Sequence, residues 1–140
     1  MRNIESGWLE SAKDADDLLK SIINDLVIEK DTAVQLMNTA PGSECVFYHS
    51  LNVSVLSMML GREHGLGPEE LRIIGLGALF HDVGKHRVPK NVLYKTLPLT
   101  KFERDILRLH PRYGAETMKP LTSMGTFPAE ALAIIKDHHE

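Results

Sequence analysis

Apolar residues in this chain recur at intervals of three and four, segment after segment, and no stretch alternates with polar residues long enough to make a strand. From Asp14 to about Thr39, residues Leu18, Leu19, Ile22, Ile23, Leu26, Val27, Val34 and Met37 mark one side of a long amphipathic helix. "TAPGSE" interrupts it: Pro41 and Gly42 end one helix, and Ser43 can cap the next. That helix runs to about Arg62, with His49, Val53, Leu56 and Leu60 on one face. "HGLGPEE" is the second interruption. Pro68 suits the first helical position, and Glu69 and Glu70 favour the positive end of the dipole. Leu71, Ile74, Ala78 and His81 share the stripe of the helix that follows, and Gly84 stands where a helix stop is expected. Thr100 with Glu103 is a capping box opening a helix through Phe102, Ile106 and Leu109. Pro111 puts a break at His110, and a last helix begins near Pro128 with Ala131, Ile134, Ile135 and His138 inward. The expectation is an all-α bundle: an amphipathic helix within residues 1–40, then a compact domain in 41–140.

Composition narrows the partners. A chain of 140 residues, 43% hydrophobic, can bury one core. A formal net charge of -3, with no evident cluster of lysine or arginine, gives no footprint for a nucleic-acid polymer or an anionic membrane. Cys45 is the single cysteine and cannot close an internal disulfide. The opening "MRNIESGWLES" lacks the apolar core of a signal peptide, and no apolar stretch approaches a membrane span, so a cytoplasmic location is expected.

Against this ordinary background, "GALFHDVGKHRVP" at residues 77–89 is anomalous. An apolar run ends in His81 and Asp82, and an unpaired carboxylate at a buried helix end costs several kcal/mol unless it is solvated, hydrogen-bonded or bound to a cation. Any one of the histidines reads as a core or capping residue. Together, His49, His81, His110, His138 and His139 fall on the inward stripes or ends of separate helical segments, whereas His64 and His86 do not. A dinuclear metal site accounts for the combination. Adjacent helical residues point about 100° apart, so His81 can bind one ion while Asp82 bridges two, and His138 with His139 repeats the pattern. Nitrogen-rich ligation suits iron, manganese or zinc and not the oxygen cages of calcium.

"HSLNV" at 49–53, "HDVGKHRVP" at 81–89, "LHPRYG" at 109–114 and "HHE" at 138–140 resemble, in order and approximate spacing, the HD-GYP family. This is the branch of the HD phosphohydrolases that hydrolyses the bacterial messenger cyclic di-GMP. The resemblance spans roughly residues 43–140, and the segment "VLYKTLPLTKFE" is similar to the family's link between its HD pair and its third histidine. It implies an HD-domain helical bundle in which His49, His81, Asp82, His110, His138 and His139 are metal ligands. Lys85 matches the lysine that meets substrate phosphate or the attacking hydroxide, so the implied catalytic pair is Asp82 and Lys85. The implied cofactors are two divalent metal ions, iron or manganese first, with zinc, nickel or magnesium as alternatives. The implied reaction converts cyclic di-GMP to pGpG, to GMP, or to both. Sensor or GGDEF-type domains are the expected protein partners, with a homodimer as a further expectation.

Two features differ from the family pattern. Cys45, beside Glu44, occupies the place from which some members supply a glutamate to a third metal, so two ions are expected and not three. The chain also stops at Glu140, before the GYP segment and a later aspartate ligand, so the domain is expected to be incomplete at its C-terminus. Two other readings accompany the first: a phosphohydrolase acting on another nucleotide, and a signalling module that keeps the fold without turnover.

Overall fold

The computed structural model describes residues 2–28 and 45–140, and all regular structure among them is helical. The first helix, α1, spans Arg2–Ile28. It starts well before Asp14 because residues 2–13 contain no proline and continue the apolar spacing through Leu9 and Ala12. Its seam is Ala12, Ala15, Leu19, Ile22 and Ile23; Leu18, expected in the stripe, is 44% exposed. Two alanines in the first half of the seam let α1 lie close to its neighbours, which turns Leu18 outward. Leu26 and Val27, as side chains, and Val34, Met37 and the 41–43 break lie outside the described residues.

Helix α2 covers Cys45–Glu63 and α3 covers Pro68–Phe80. Their interface corrects the expected face of α2. Ser50, Ser54, Val55 and Met58 are buried, while Leu56 and Leu60 are 48% and 62% exposed. A helix apolar on several sides leaves its inner face undecided, and small residues settle it here. The Ser54 hydroxyl donates to the Gly75 carbonyl at 2.8 Å, and a methyl group at Gly75 would stand 2.7 Å from the Met58 sulfur and 3.2 Å from Leu19. Between α2 and α3 the turn closes on Gly65 at φ 82, with Leu66 N–H donating to the Gly61 carbonyl. Pro68 opens α3 as expected, and the Gly67 N–H donates to Glu70 Oε2 at 2.8 Å.

After α3 the chain tightens into a 3₁₀ turn, Val83–Arg87, followed by α4 at Lys90–Leu93, α5 at Lys101–Leu107, α6 at His110–Ser123 and α7 at Ala129–Asp137. The capping box on α5 is present: Thr100 N–H donates to Glu103 Oε2 at 2.7 Å, and Glu103 N–H donates to the Thr100 hydroxyl at 3.3 Å. The stripe expected on α5 does not face a core, because Phe102 is 74% exposed and no residue of α5 is buried. At His110 the chain shows a two-residue junction between α5 and α6, with both junction residues still in helical geometry. Helix α7 buries Ala131 and Ile135 as read from the sequence.

Helix α3 is the centre of the assembly, touching α1, α2 and α7. Leu19, Val55, Met58, Leu71, Leu76, Met118, Leu121, Phe127, Ala131 and Ile135 form one core, so α1 shares the core of the remaining helices. Each fully buried side chain of the leucine or methionine class contributes about 1.5–3 kcal/mol. Gly84 does not stop a helix through a left-handed conformation. It sits inside the 3₁₀ turn, where an added methyl would collide with the carbonyl oxygen of His110 and the backbone nitrogen of Gly114. The turn carrying the His–Asp pair is thereby pressed directly onto α6.

Gly84→Ala should lower stability by about 1–3 kcal/mol, the cost of overpacking. Gly7→Ala, with nothing within 4 Å of the new methyl, should gain up to about 1 kcal/mol of helix propensity. Urea midpoints decide this, and equal midpoints for Gly84→Ala and the parent would refute the close crossing. A second expectation concerns Glu103. Its carboxyl is lowered to about 2, chiefly by the Lys95 ammonium and then by the Thr100 N–H and hydroxyl. A depressed carboxylate adds stability that is complete above its ordinary value of 4.5 and is lost as pH falls toward about 2. The stability gap between the parent and Glu103→Gln should therefore close over that interval, as chemical denaturation at stepped pH would show.

Candidate metal centre

The centre begins where α3 ends. His81 keeps helical geometry as the C-cap, and Asp82 turns at φ -94 and ψ 2 into the 3₁₀ segment. This change of backbone direction sends the two side chains to different neighbours. In a 3₁₀ turn residues three apart eclipse, and the Lys85 ammonium accordingly donates to Asp82 Oδ2 at 2.7 Å. Asp82 is 7% exposed. Its Oδ2 lies 3.3 Å from His81 Nε2 and its Oδ1 lies 3.3 Å from His110 Nε2, so the two oxygens face two separate histidines.

Three histidines share one orienting device. His81 Nδ1–H donates to the Ala78 carbonyl at 2.7 Å, His110 Nδ1–H to Leu107 at 2.7 Å, and His138 Nδ1–H to Ile135 at 2.9 Å. A carbonyl only accepts, so Nδ1 carries a proton; a neutral ring at His110 or His138 then presents its Nε2 lone pair inward, whereas a charged His81 donates a second proton from Nε2 to Asp82 Oδ2. Each carbonyl is three residues upstream, a relation that every helix end offers. The rings then touch in series: His49 to His81 at 5.6 Å between centroids, His81 to His138 at 5.1 Å, His138 to His110 at 5.1 Å, and His110 to His139 at 5.1 Å.

Charge is unevenly placed among these groups. Burial pushes the Asp82 carboxyl up, but hydrogen bonds from His81 and Lys85 more than offset it and hold it well below the usual carboxylate range. Asp82 raises His81, whereas burial lowers both His110 and His138. The consequence is sharpest between the last two. His110 Nε2 and His138 Nε2 stand 3.1 Å apart, and with both Nδ1 atoms protonated, neutral rings oppose two lone pairs. Only an added proton or a cation relieves that contact. Two nitrogens each about 2.1 Å from one metal ion and at right angles to each other lie about 3.0 Å apart, so the donor set fits a transition metal.

Among the described residues, two groups bring their ligand atoms within 4.8 Å of one another: His49, His81 and Asp82, and His110, His138 and His139. These are the six ligand residues expected from the sequence, with Asp82 between the groups and Lys85 on its outer oxygen. His49, on α2, is exposed, and His139 is exposed beside His138. His64 and His86 are exposed and belong to neither group, as expected. Glu44 and the Cys45 side chain lie outside the described residues. One feature escaped the sequence reading. A cleft of about 790 Å³ opens beside His110 and His139, with Lys85, Arg104 and Arg108 on its wall. In the sequence it leaves only the pair of arginines four apart in "RDILR", on one side of a helix leading directly into His110, a spacing too ordinary to mark a site by itself.

A helical bundle carrying a half-buried histidine next to a buried aspartate, with further histidines around them, is the class of fold and site defined by this structure. Residues 46–140 match the HD domain family model, and the chain belongs to that family. It is similar to a cyclic di-GMP phosphodiesterase of Pseudomonas aeruginosa, 27% identical over 99% of this chain and 33% of that protein. It is also similar to a cyclic di-GMP phosphodiesterase response regulator of Xanthomonas campestris, 35% identical over 63% of this chain and 23% of that protein. A 3′3′-cGAMP-specific phosphodiesterase of Vibrio cholerae is 28% identical over 87% of this chain and 22% of its own length. These relatives bear out the resemblance to the HD-GYP branch, and the chain spans a third or less of each. No solved structure matches it significantly. No described helix is long and apolar enough to cross a membrane.

Proposed function

We propose that His49, His81 and Asp82 hold one divalent metal ion, that His110, His138 and His139 hold a second, and that Asp82 joins the two. The pair serves hydrolysis of a phosphodiester in a cyclic dinucleotide, cyclic di-GMP first. The observation that carries this reading is the 3.1 Å approach of His110 Nε2 to His138 Nε2, each ring fixed by its Nδ1–H bond so that both lone pairs converge. Such ions, when bound, lower the pKa of water toward neutrality and neutralise charge developing on phosphoryl oxygens.

The chain's own groups have distinct tasks. The Nδ1–H bonds to Ala78, Leu107 and Ile135 lock tautomer and ring direction, the usual work of partners behind a ligand. Asp82 turns one oxygen to each side of the centre. Lys85, 33% exposed on the cleft wall, steadies Asp82 and offers a point charge to a phosphate oxygen. Iron or manganese is the preferred metal. The Vibrio relative's name supports testing 3′3′-cGAMP beside cyclic di-GMP. The response-regulator name of the Xanthomonas relative supports a cytoplasmic signalling context, with sensor or GGDEF-type domains as partners. The division into a leading helix within 1–40 and an HD domain in 41–140 belongs to the same proposal.

Protein loaded anaerobically with iron or manganese should consume one of the two cyclic dinucleotides in a product-chromatography assay; inertness toward both, with either metal, would end the proposal. Elemental analysis should find more than one divalent metal per chain, and His138→Ala should remove at least one. A protein that binds none, and whose melting temperature ignores chelator, would contradict the ligand assignment. Lys85→Ala should reduce turnover by about 10²–10³-fold, the scale of a lost charge-stabilising donor, at nearly unchanged metal content. Unchanged turnover would leave Lys85 as a structural partner of Asp82 alone.

A further inference from the structure

The cleft beside the centre is built asymmetrically. His110, His139 and Lys85 form the part of its wall that adjoins the proposed metals, and Lys85 is already paired with Asp82 at 2.7 Å. The remaining cations, Arg104 and Arg108, lie one helical turn apart on α5 and its end. Arg104 is held in place, because its Nη1 donates to the Leu99 carbonyl at 2.6 Å, while its other N–H groups are uncommitted by that bond. Among the described residues Arg108 makes a loose approach to Asp105, 4.0 Å, at 81% side-chain exposure. Glu140 also lines the cleft, so the two arginines against one carboxylate leave one excess positive charge there. Leu99 and Leu107 supply apolar surface between these charges.

A single phosphodiester at the histidine centre has no use for this second cationic wall. A cyclic dinucleotide does, since its two anionic phosphodiesters sit on opposite sides of one ring. When one lies against the His–Asp centre, the other is directed away from it and needs a countercharge. The cleft volume, about 790 Å³, falls in the range of about 300–1,000 Å³ typical of small-molecule sites. We infer that Arg104 and Arg108 grip the distal phosphodiester of a cyclic dinucleotide, with Leu99 and Leu107 against a base, and so select two-phosphate rings over one-phosphate rings. Arginine suits the task because its planar fork can take two phosphate oxygens at once. This inference rests on the proposed function and adds to it the residues that read the far side of the substrate.

The test separates grip from chemistry. The 140-residue chain, stripped of metal with chelator so that no turnover occurs, is titrated calorimetrically with cyclic di-GMP and with 3′,5′-cyclic GMP, which has one phosphodiester. Parent protein should bind cyclic di-GMP more tightly, and Arg104→Ala/Arg108→Ala should weaken cyclic di-GMP at least about tenfold, the loss of one charge-assisted contact or more. The same variant should change cyclic GMP less than about twofold and leave far-ultraviolet circular dichroism intact. Arg104→Lys/Arg108→Lys should recover part of the affinity, which a folding defect would not. Equal losses for both ligands, or no loss, would overturn the inference. So would failure of the metal-free parent to bind cyclic di-GMP at all. A parallel assay of metal-loaded parent protein distinguishes the two readings: hydrolysis of cyclic di-GMP with an unaffected arginine variant refutes the grip alone, whereas an inert parent refutes the proposed function as well.

Discussion

The structure is organised around one buried carboxylate. Asp82 is removed from water at the end of the central helix, and an ion there is costly unless its surroundings replace the lost solvent. Lys85 does so from the following turn and His81 from the residue before, while His110, from a helix 28 positions later in sequence, turns its Nε2 toward the other oxygen at 3.3 Å, where a bound cation would complete the compensation. Removing Lys85 or His81 leaves a charge with fewer compensating groups in a water-poor site. The carboxylate therefore constrains the placement of α3, the 3₁₀ turn and α6 together.

Close packing meets that constraint. Gly75 lets α1 and α2 approach α3, and Gly77 admits Ile134 of α7, where a methyl would stand 2.7 Å from the isoleucine side chain. Gly84 and Gly114 then bring the 3₁₀ turn onto α6 with no side chain between them. Without these approaches Asp82 and His110 could not come within 3.3 Å, and the carboxylate would not stand between the two histidine groups. The core supplies the rigidity. Met118, Ile135 and Ala131 are inaccessible to solvent, so α6 and α7 present His110 and His138 from a fixed base.

The residues proposed as ligands were legible as candidates because metal chemistry restricts residue type: histidine and aspartate in repeated pairs at helix ends have few alternative uses, and the fold brings them together. Their Nδ1–H bonds were implicit too, since a helix end supplies a carbonyl three residues upstream. Other readings went astray for physical reasons. On α2, apolar residues lie on several sides, and Ser54 and Gly75 chose the buried face over Leu56 and Leu60. Gly84 looks like a helix stop in sequence, yet among the described residues the left-handed glycines are Gly65 and Gly125, and Gly84 is required for contact with α6. Arginines 104 and 108 gave no signal as a charge cluster because two cations in a helix are ordinary until a cavity forms beside them.

By itself, the sequence determined that the chain is helical, where most helices begin and end, and which side chains are candidates for the chemistry. Those properties follow from local spacing, capping and residue type, each decided within a few positions. Only tertiary structure decided that Asp82 faces two histidines at once, that His110 and His138 oppose their lone pairs at 3.1 Å, and that an arginine-lined cleft opens beside them. These depend on how closely helices distant in sequence approach, which is fixed by the fit of glycines and core side chains across interfaces and by no periodicity within one segment.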